Sequence, residues 1–158
     1  MSKITPFLWF DTAAEEAARL YTSIFKNSRI TGVTRYGPEG PGPAGSVMTV
    51  SFELDGQPFT ALNGGPEFRF TEAVSFEVRC ETQAEVDEYW QKLTADGGEE
   101  VQCGWLKDKF GLSWQIVPAA LIELLSSPDP ARAERVYHAM LQMKKLDIAQ
   151  LQKAAAGE

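Results

Sequence analysis

The sequence contains one histidine and two cysteines in 158 residues. Cys80 and Cys103 form no CxxC and are too few for a disulfide framework, so both read as reduced thiols. His138 falls in a C-terminal helical pattern and reads as a partly exposed helix residue rather than a ligand. Basic residues are outnumbered, 15 Lys and Arg against 22 Asp and Glu, giving a formal net charge of −7. Nucleic acid calls for a basic face and is not expected as a partner. No apolar run approaches the roughly 20 residues that cross a bilayer, so no membrane is expected either. The start, Met1-Ser2-Lys3-Ile4-Thr5-Pro6, moves straight into a strand-like pattern rather than a signal peptide, and a cytoplasmic location follows as an expectation.

What is present is globular: 44% hydrophobic residues with 23% charged, in a length suited to a single domain spanning 1–158. A repeat organises it. Thr12-Ala13-Ala14-Glu15 and Thr82-Gln83-Ala84-Glu85 share a T-x-A-E pattern, which predicts a capping box at each place. The first opens a helix with Ala17, Leu20, Tyr21, Ile24 and Phe25 on one face; the second opens one with Val86, Tyr89, Trp90 and Leu93. Strands at Ile4–Phe10 and Val74–Cys80 precede them. Further strands are predicted at Arg29–Tyr36, Ser46–Leu54 and Gln57–Asn63, the last two joined at Asp55-Gly56. Gly37–Gly45, rich in Gly and Pro, reads as an exposed loop. In the second half, two short strands are predicted within Glu99–Gln102 and Gly104–Lys107. A turn at Asp108–Gly111 then leads into Leu112–Val117.

The expected architecture is therefore α+β: two tandem βαβββ modules, 1–70 and 71–118, followed by a helical extension over 119–158. In that extension a short helix is predicted at Ala119–Leu125 and one long helix from about Pro130 to Ala155. The stripe of Val136, Tyr137, Met140, Leu141, Met143, Ile148 and Leu151 predicts packing outside the sheet or against a second subunit.

Two such modules resemble the vicinal oxygen chelate superfamily of glyoxalases, extradiol dioxygenases and bleomycin-resistance proteins. The resemblance is more specific to its PhnB-like branch. It is carried by Trp9-Phe10-Asp11, by Phe59-Thr60-Ala61-Leu62-Asn63-Gly64-Gly65-Pro66 and by Gln83–Trp90. It continues through Cys103-Gly104-Trp105-Leu106-Lys107-Asp108-Lys109-Phe110-Gly111 and Ser113-Trp114-Gln115-Ile116-Val117-Pro118. The resemblance implies modules curved around a cleft, a homodimer, and the frequent label 3-demethylubiquinone-9 3-methyltransferase. In metal-using relatives each module gives one ligand from its first strand and one from its last. Those positions here fall at Thr5 or Pro6, near Thr60 or Ala61, at Ser75 and at Gln115, and none is His, Asp or Glu. No metal and no cofactor are expected.

Strand alternation places Thr5, Phe7 and Trp9 on one face, and Ser113, Gln115 and Val117 on another, with Trp114 turned towards a helix. The candidate cleft is Thr5, Phe7, Trp9, Asn63, Ser75, Cys103, Trp105, Ser113 and Gln115. Cys103 is the nucleophile candidate by residue type, but no histidine neighbours it in sequence, and a structural thiol is the plainer reading. The expected function is binding of a small molecule, or metal-independent catalysis on an unknown substrate. The alternatives are a sequestering module of the resistance type and, less favoured, the methyltransferase of the family label. That label lacks the Gly-rich strand-to-helix turn a nucleotide cofactor calls for.

Overall fold

Alternating apolar residues and turn glycines resolve into eight strands and five helices in a computed structural model, which describes residues 3–158; Met1 and Ser2 lie outside it. The chain divides into two compact units, Met1–Phe70 and Thr71–Glu158, so the helical extension belongs to the second unit.

The first unit contains β1 (Phe7–Phe10), α1 (Ala14–Ile24), β2 (Arg29–Arg35), β3 (Val47–Leu54) and β4 (Gln57–Asn63). The sheet order is β1-β4-β3-β2, with β1 and β4 parallel and the other neighbours antiparallel. Leu8, Phe10, Val50, Phe52, Leu54, Phe59 and Ala61 are buried on one face of this sheet. Ala14, Ala17, Ala18, Tyr21 and Ile24 form the buried stripe of α1, and three alanines let the helix approach closely. Phe52 stacks on Phe59 at 5.5 Å between ring centroids, and Tyr21 reaches Phe52 at 6.3 Å. Each such fully buried large side chain stabilises the fold by about 1.5–3 kcal/mol.

The second unit repeats the plan. It has β5 (Ser75–Cys80), α2 (Gln83–Thr94), β6 (Glu99–Glu100), β7 (Trp105–Lys107) and β8 (Ser113–Pro118) in the order β5-β8-β7-β6. The first and last strands again run parallel. Phe7 stands opposite Thr60 in one sheet as Glu77 stands opposite Gln115 in the other, so the repeat extends to the register.

Only the second capping box closes. Thr82 Oγ1 accepts from the Glu85 amide at 3.2 Å, while Glu85 Oε1 accepts from the amide of Glu81, one residue before the cap. At the first helix the N-cap is Ala13, and no local side chain bonds there. Asn63, at the end of β4, substitutes: its Oδ1 accepts from the Ala14 amide at 2.8 Å and its Nδ2 donates to Val47 O at 3.1 Å. A cap borrowed from a distant strand explains why Thr12 leaves the box unformed.

The predicted Pro130–Ala155 helix is two helices, α4 (Pro130–Leu141) and α5 (Ile148–Ala156), after α3 (Ala119–Leu125). Between α4 and α5, Met143 O and Lys144 O accept from the amides of Cys103 and Gly104 at 2.7 and 2.8 Å. Asp147 starts α5 by accepting from the Gln150 amide. Gln83 fixes the break further: it donates to Leu146 O and accepts from the Ile148 amide. Val117, Leu121, Val136, Leu146, Leu151 and Ala155 form a common buried cluster with Met140 and Met143 packed against it, so part of the predicted stripe is buried within the unit, while Tyr137 is 48% exposed. Among the described residues no helix is long and apolar enough to cross a membrane.

Candidate functional site

In the second unit one sheet face carries Phe76, Val78, Trp114 and Ile116 towards the buried side, and the opposite face carries Ser75, Glu77, Arg79, Ser113 and Gln115. Trp105 and Lys107 on β7 pair with Gln115 and Ser113 and so join the second face. Two residues predicted as ligand positions meet there: Gln115 Nε2 donates to Ser75 Oγ at 2.9 Å. Ser113, directly opposite Ser75, is 1% exposed, and its Oγ is the buried side-chain polar atom among the described residues that has no hydrogen-bond partner.

Two ion pairs lie on this face, with Glu99 opposite Lys107 at the sheet edge. Lys107 forms an ion pair with Glu72, and Arg79 Nη2 lies 3.4 Å from Glu77 Oε1. The hydrogen bond from Lys107 holds Glu72 below the usual carboxylate range, and the same bond raises Lys107, so both stay charged near neutrality. The thiol of Cys80, on the buried side, is pushed up to about 12, first by desolvation and then by Glu85 and Glu81. None of these three groups is poised to exchange a proton near pH 7.

Trp114 faces inward and serves the turn before it. Asp108, 3% exposed, accepts from the Trp114 indole at 2.9 Å and from the amides of Phe110 and Leu112 at 2.9 and 3.1 Å. Gly111 adopts φ +85° to close this turn. The conspicuous aspartate of the D-K-F-G stretch thus has a structural duty.

The remaining candidates are placed as follows. Thr5 is exposed and lies just outside β1; Phe7 is 63% exposed on the face of the first sheet opposite α1. Trp9 shares that face, donates from Nε1 to Gly65 O at 2.9 Å and meets the edge of Phe68 at 4.9 Å. A Cβ at Gly64 would sit 2.4 Å from the Trp9 ring, so the glycine is a packing requirement. Asn63 is committed to the α1 cap. Cys103, half-buried at φ +61°, is positioned through its backbone. The structure thus brings Ser75, Ser113, Gln115 and Trp105 to one face of the second unit, and Phe7 and Trp9 to one face of the first.

Sequence reading overlooked Glu77, Arg79 and the Glu72–Lys107 pair, although strand alternation from Ser75 would have found the first two. It also overlooked a cavity of about 460 Å³ in the first unit, lined by Asp11, Glu15, Tyr36, Pro43, Asn63 and Gly65 among others. The Gly37–Gly45 loop bounds it. Tyr36 donates to Asn63 O at 2.5 Å, and Cβ atoms at Gly40 or Gly42 would lie 2.5 Å from its ring.

The ligand positions of the metal-using relatives do not fit a tightly held divalent ion in this chain. Ser75 and Gln115 offer a hydroxyl and an amide already engaged with each other, and Thr60 offers a hydroxyl. Among the described residues no three His, Cys, Asp or Glu side chains gather into a metal-binding group.

Comparison with known proteins agrees with the architecture. The family model described as 3-demethylubiquinone-9 3-methyltransferase matches residues 2–117. A solved structure described as a putative 3-demethylubiquinone-9 3-methyltransferase, PhnB protein, from Bacillus cereus is 41% identical. It covers 75% of this chain and 100% of its own, with a TM-score of 0.68. Protein PA1353 from Pseudomonas aeruginosa (19% identity, 75% and 98% covered, TM-score 0.61) shares the fold. So does the fosfomycin resistance protein FosX from Listeria monocytogenes (18% identity, 80% and 98% covered, TM-score 0.56). No curated protein matches the chain in sequence. With a matching family model over most of its length and a 41% identical PhnB structure, the chain belongs to the 3-demethylubiquinone-9 3-methyltransferase family and is PhnB-like.

Proposed function

We propose that this protein binds a small molecule at the polar sheet face of its second unit, through hydrogen bonds rather than through a tightly held metal ion. The observation that carries this reading is the Gln115–Ser75 bond at 2.9 Å, with the unpartnered hydroxyl of Ser113 opposite Ser75. A buried hydroxyl without a partner costs about 1–3 kcal/mol, which a ligand at that face would recover. Binding is favoured over acid–base catalysis because the charged side chains beside Gln115 and Ser113 are engaged in ion pairs, Glu77 with Arg79 and Lys107 with Glu72.

Metal-independent catalysis remains the second form of this reading, with the binding groups orienting a substrate. Sequestration of the resistance type uses the same groups without chemistry. The family description names a methyltransferase, yet two mixed four-stranded sheets offer no Gly-rich turn between a parallel strand and a helix N-terminus, so the fold lends that label no support. Pairing of two copies into a homodimer is part of the proposal.

A thermal-shift screen of neutral metabolites and divalent ions against the protein and its Gln115→Ala variant tests the reading. A ligand bound only by the folded state raises the midpoint. The expected result is a metabolite-induced rise that Gln115→Ala abolishes. A rise produced by a divalent ion alone, and lost in Gln115→Ala, would overturn it.

A further inference from the structure

We infer that the ligand of this face is neutral and planar and presents a carbonyl beside an N–H, as a carboxamide or lactam does. This rests on the proposed small-molecule site and deepens it. The argument is an inventory of open hydrogen-bonding positions. Ser75 Oγ accepts from Gln115 Nε2, which leaves the serine's own O–H and the second Nε2 N–H to donate and Gln115 Oε1 to accept. The Ser113 hydroxyl, 1% exposed, can do either and does neither.

Two hydroxyl donors next to an amide acceptor complement a group that accepts and donates from adjacent atoms. Gln115 is drawn towards Ser75, and Ser75 stands directly opposite Ser113, so the open groups lie on neighbouring positions of two paired strands. Charge points the same way. Lys107 is neutralised by Glu72 and Arg79 by Glu77, so the face offers no free cation for a carboxylate, and the further carboxylate of Glu99, opposite Lys107 at the sheet edge, disfavours an anionic ligand as well. Trp105, half-buried and paired with Gln115 on β7, supplies an aromatic wall beside the polar groups, which suits a flat ligand.

The test uses the intact protein with three probes of one shape: benzamide, benzoate and toluene. Binding is followed by titration of the Gln115 side-chain amide and Trp105 indole NMR resonances. Benzamide is expected to bind at least ten-fold more tightly than benzoate or toluene. In Ser113→Ala, benzamide affinity should fall roughly 2- to 10-fold, while the melting midpoint of the free protein stays equal or rises. Tighter binding of benzoate, with the same resonances shifting, overturns the ligand class and leaves the site standing. If none of the three shifts these resonances, the site itself falls. A lower midpoint for free Ser113→Ala would show the hydroxyl already satisfied and overturn the inventory.

Discussion

The aspartate of the Asp108–Gly111 turn shows how a residue can look like chemistry and be architecture. Its carboxylate organises two backbone amides and the Trp114 indole at 2.9–3.1 Å. Removing it takes the acceptor from two buried donors and one part-buried donor, so Asp108→Ala is expected to cost about 3–5 kcal/mol in chemical denaturation. Asp108→Asn should recover only part, since an amide oxygen can still accept while its NH2 group offers no acceptor to the indole. The turn was legible in the sequence, and so was the inward direction of Trp114. The partner of that indole was not, because alternation says where a side chain points but not what it meets. The thiols divide similarly. Cys80 is fully buried with its pKa raised to about 12, so a thiol reagent at neutral pH should modify Cys103 alone until the protein unfolds. Equal rates at both thiols in the native protein would contradict the packing.

At the scale of elements, the hairpin strands and the short helix α3 were read closely, while the cap of α1 and the single helix expected over Pro130–Ala155 were not. Gln57–Asn63 and Ala119–Leu125 carry the same bounds in sequence and structure. The failures share one cause: contacts between segments far apart in the chain. Asn63 caps α1 from β4, and Gln83 with the Cys103–Gly104 amides holds the break between α4 and α5. Asn63→Ala is therefore expected to lower stability by about 1–2 kcal/mol, a capping loss, despite lying at the end of a strand. Gln83 also donates to Asp87 Oδ1 at 3.0 Å, and Lys145 lies 2.9 Å from the same oxygen. These two bonds, Gln83 first, hold the Asp87 carboxyl below its ordinary value. A lowered carboxyl stabilises the fold above its unfolded pKa and ceases to do so as pH falls through its folded one. Asp87→Asn should thus cost about 0.5 kcal/mol or less at pH 7, since the pair is exposed. The difference should fade as pH drops through the lowered folded-state pKa of Asp87; a difference that persists unchanged in strong acid would contradict the assignment.

For the molecule as a whole, the duplication is visible twice: in matching sequence patterns and in two sheets of identical strand order with the same parallel pairing. The resemblance read from the sequence implies that such modules present ligands to an ion. Here the comparable positions in the second unit hold a serine and a glutamine bonded to each other, beside an unpartnered serine. Substituted residue types were plain in the sequence. Their mutual bond, the paired charges around them and the orphan hydroxyl depend on register and became visible only in the fold. Elemental analysis of the protein, purified without chelator, addresses the central claim most directly. The account predicts no stoichiometric Zn, Mn, Fe or Ni. One such ion per chain, tightly held and lost on Gln115→Ala, would contradict it.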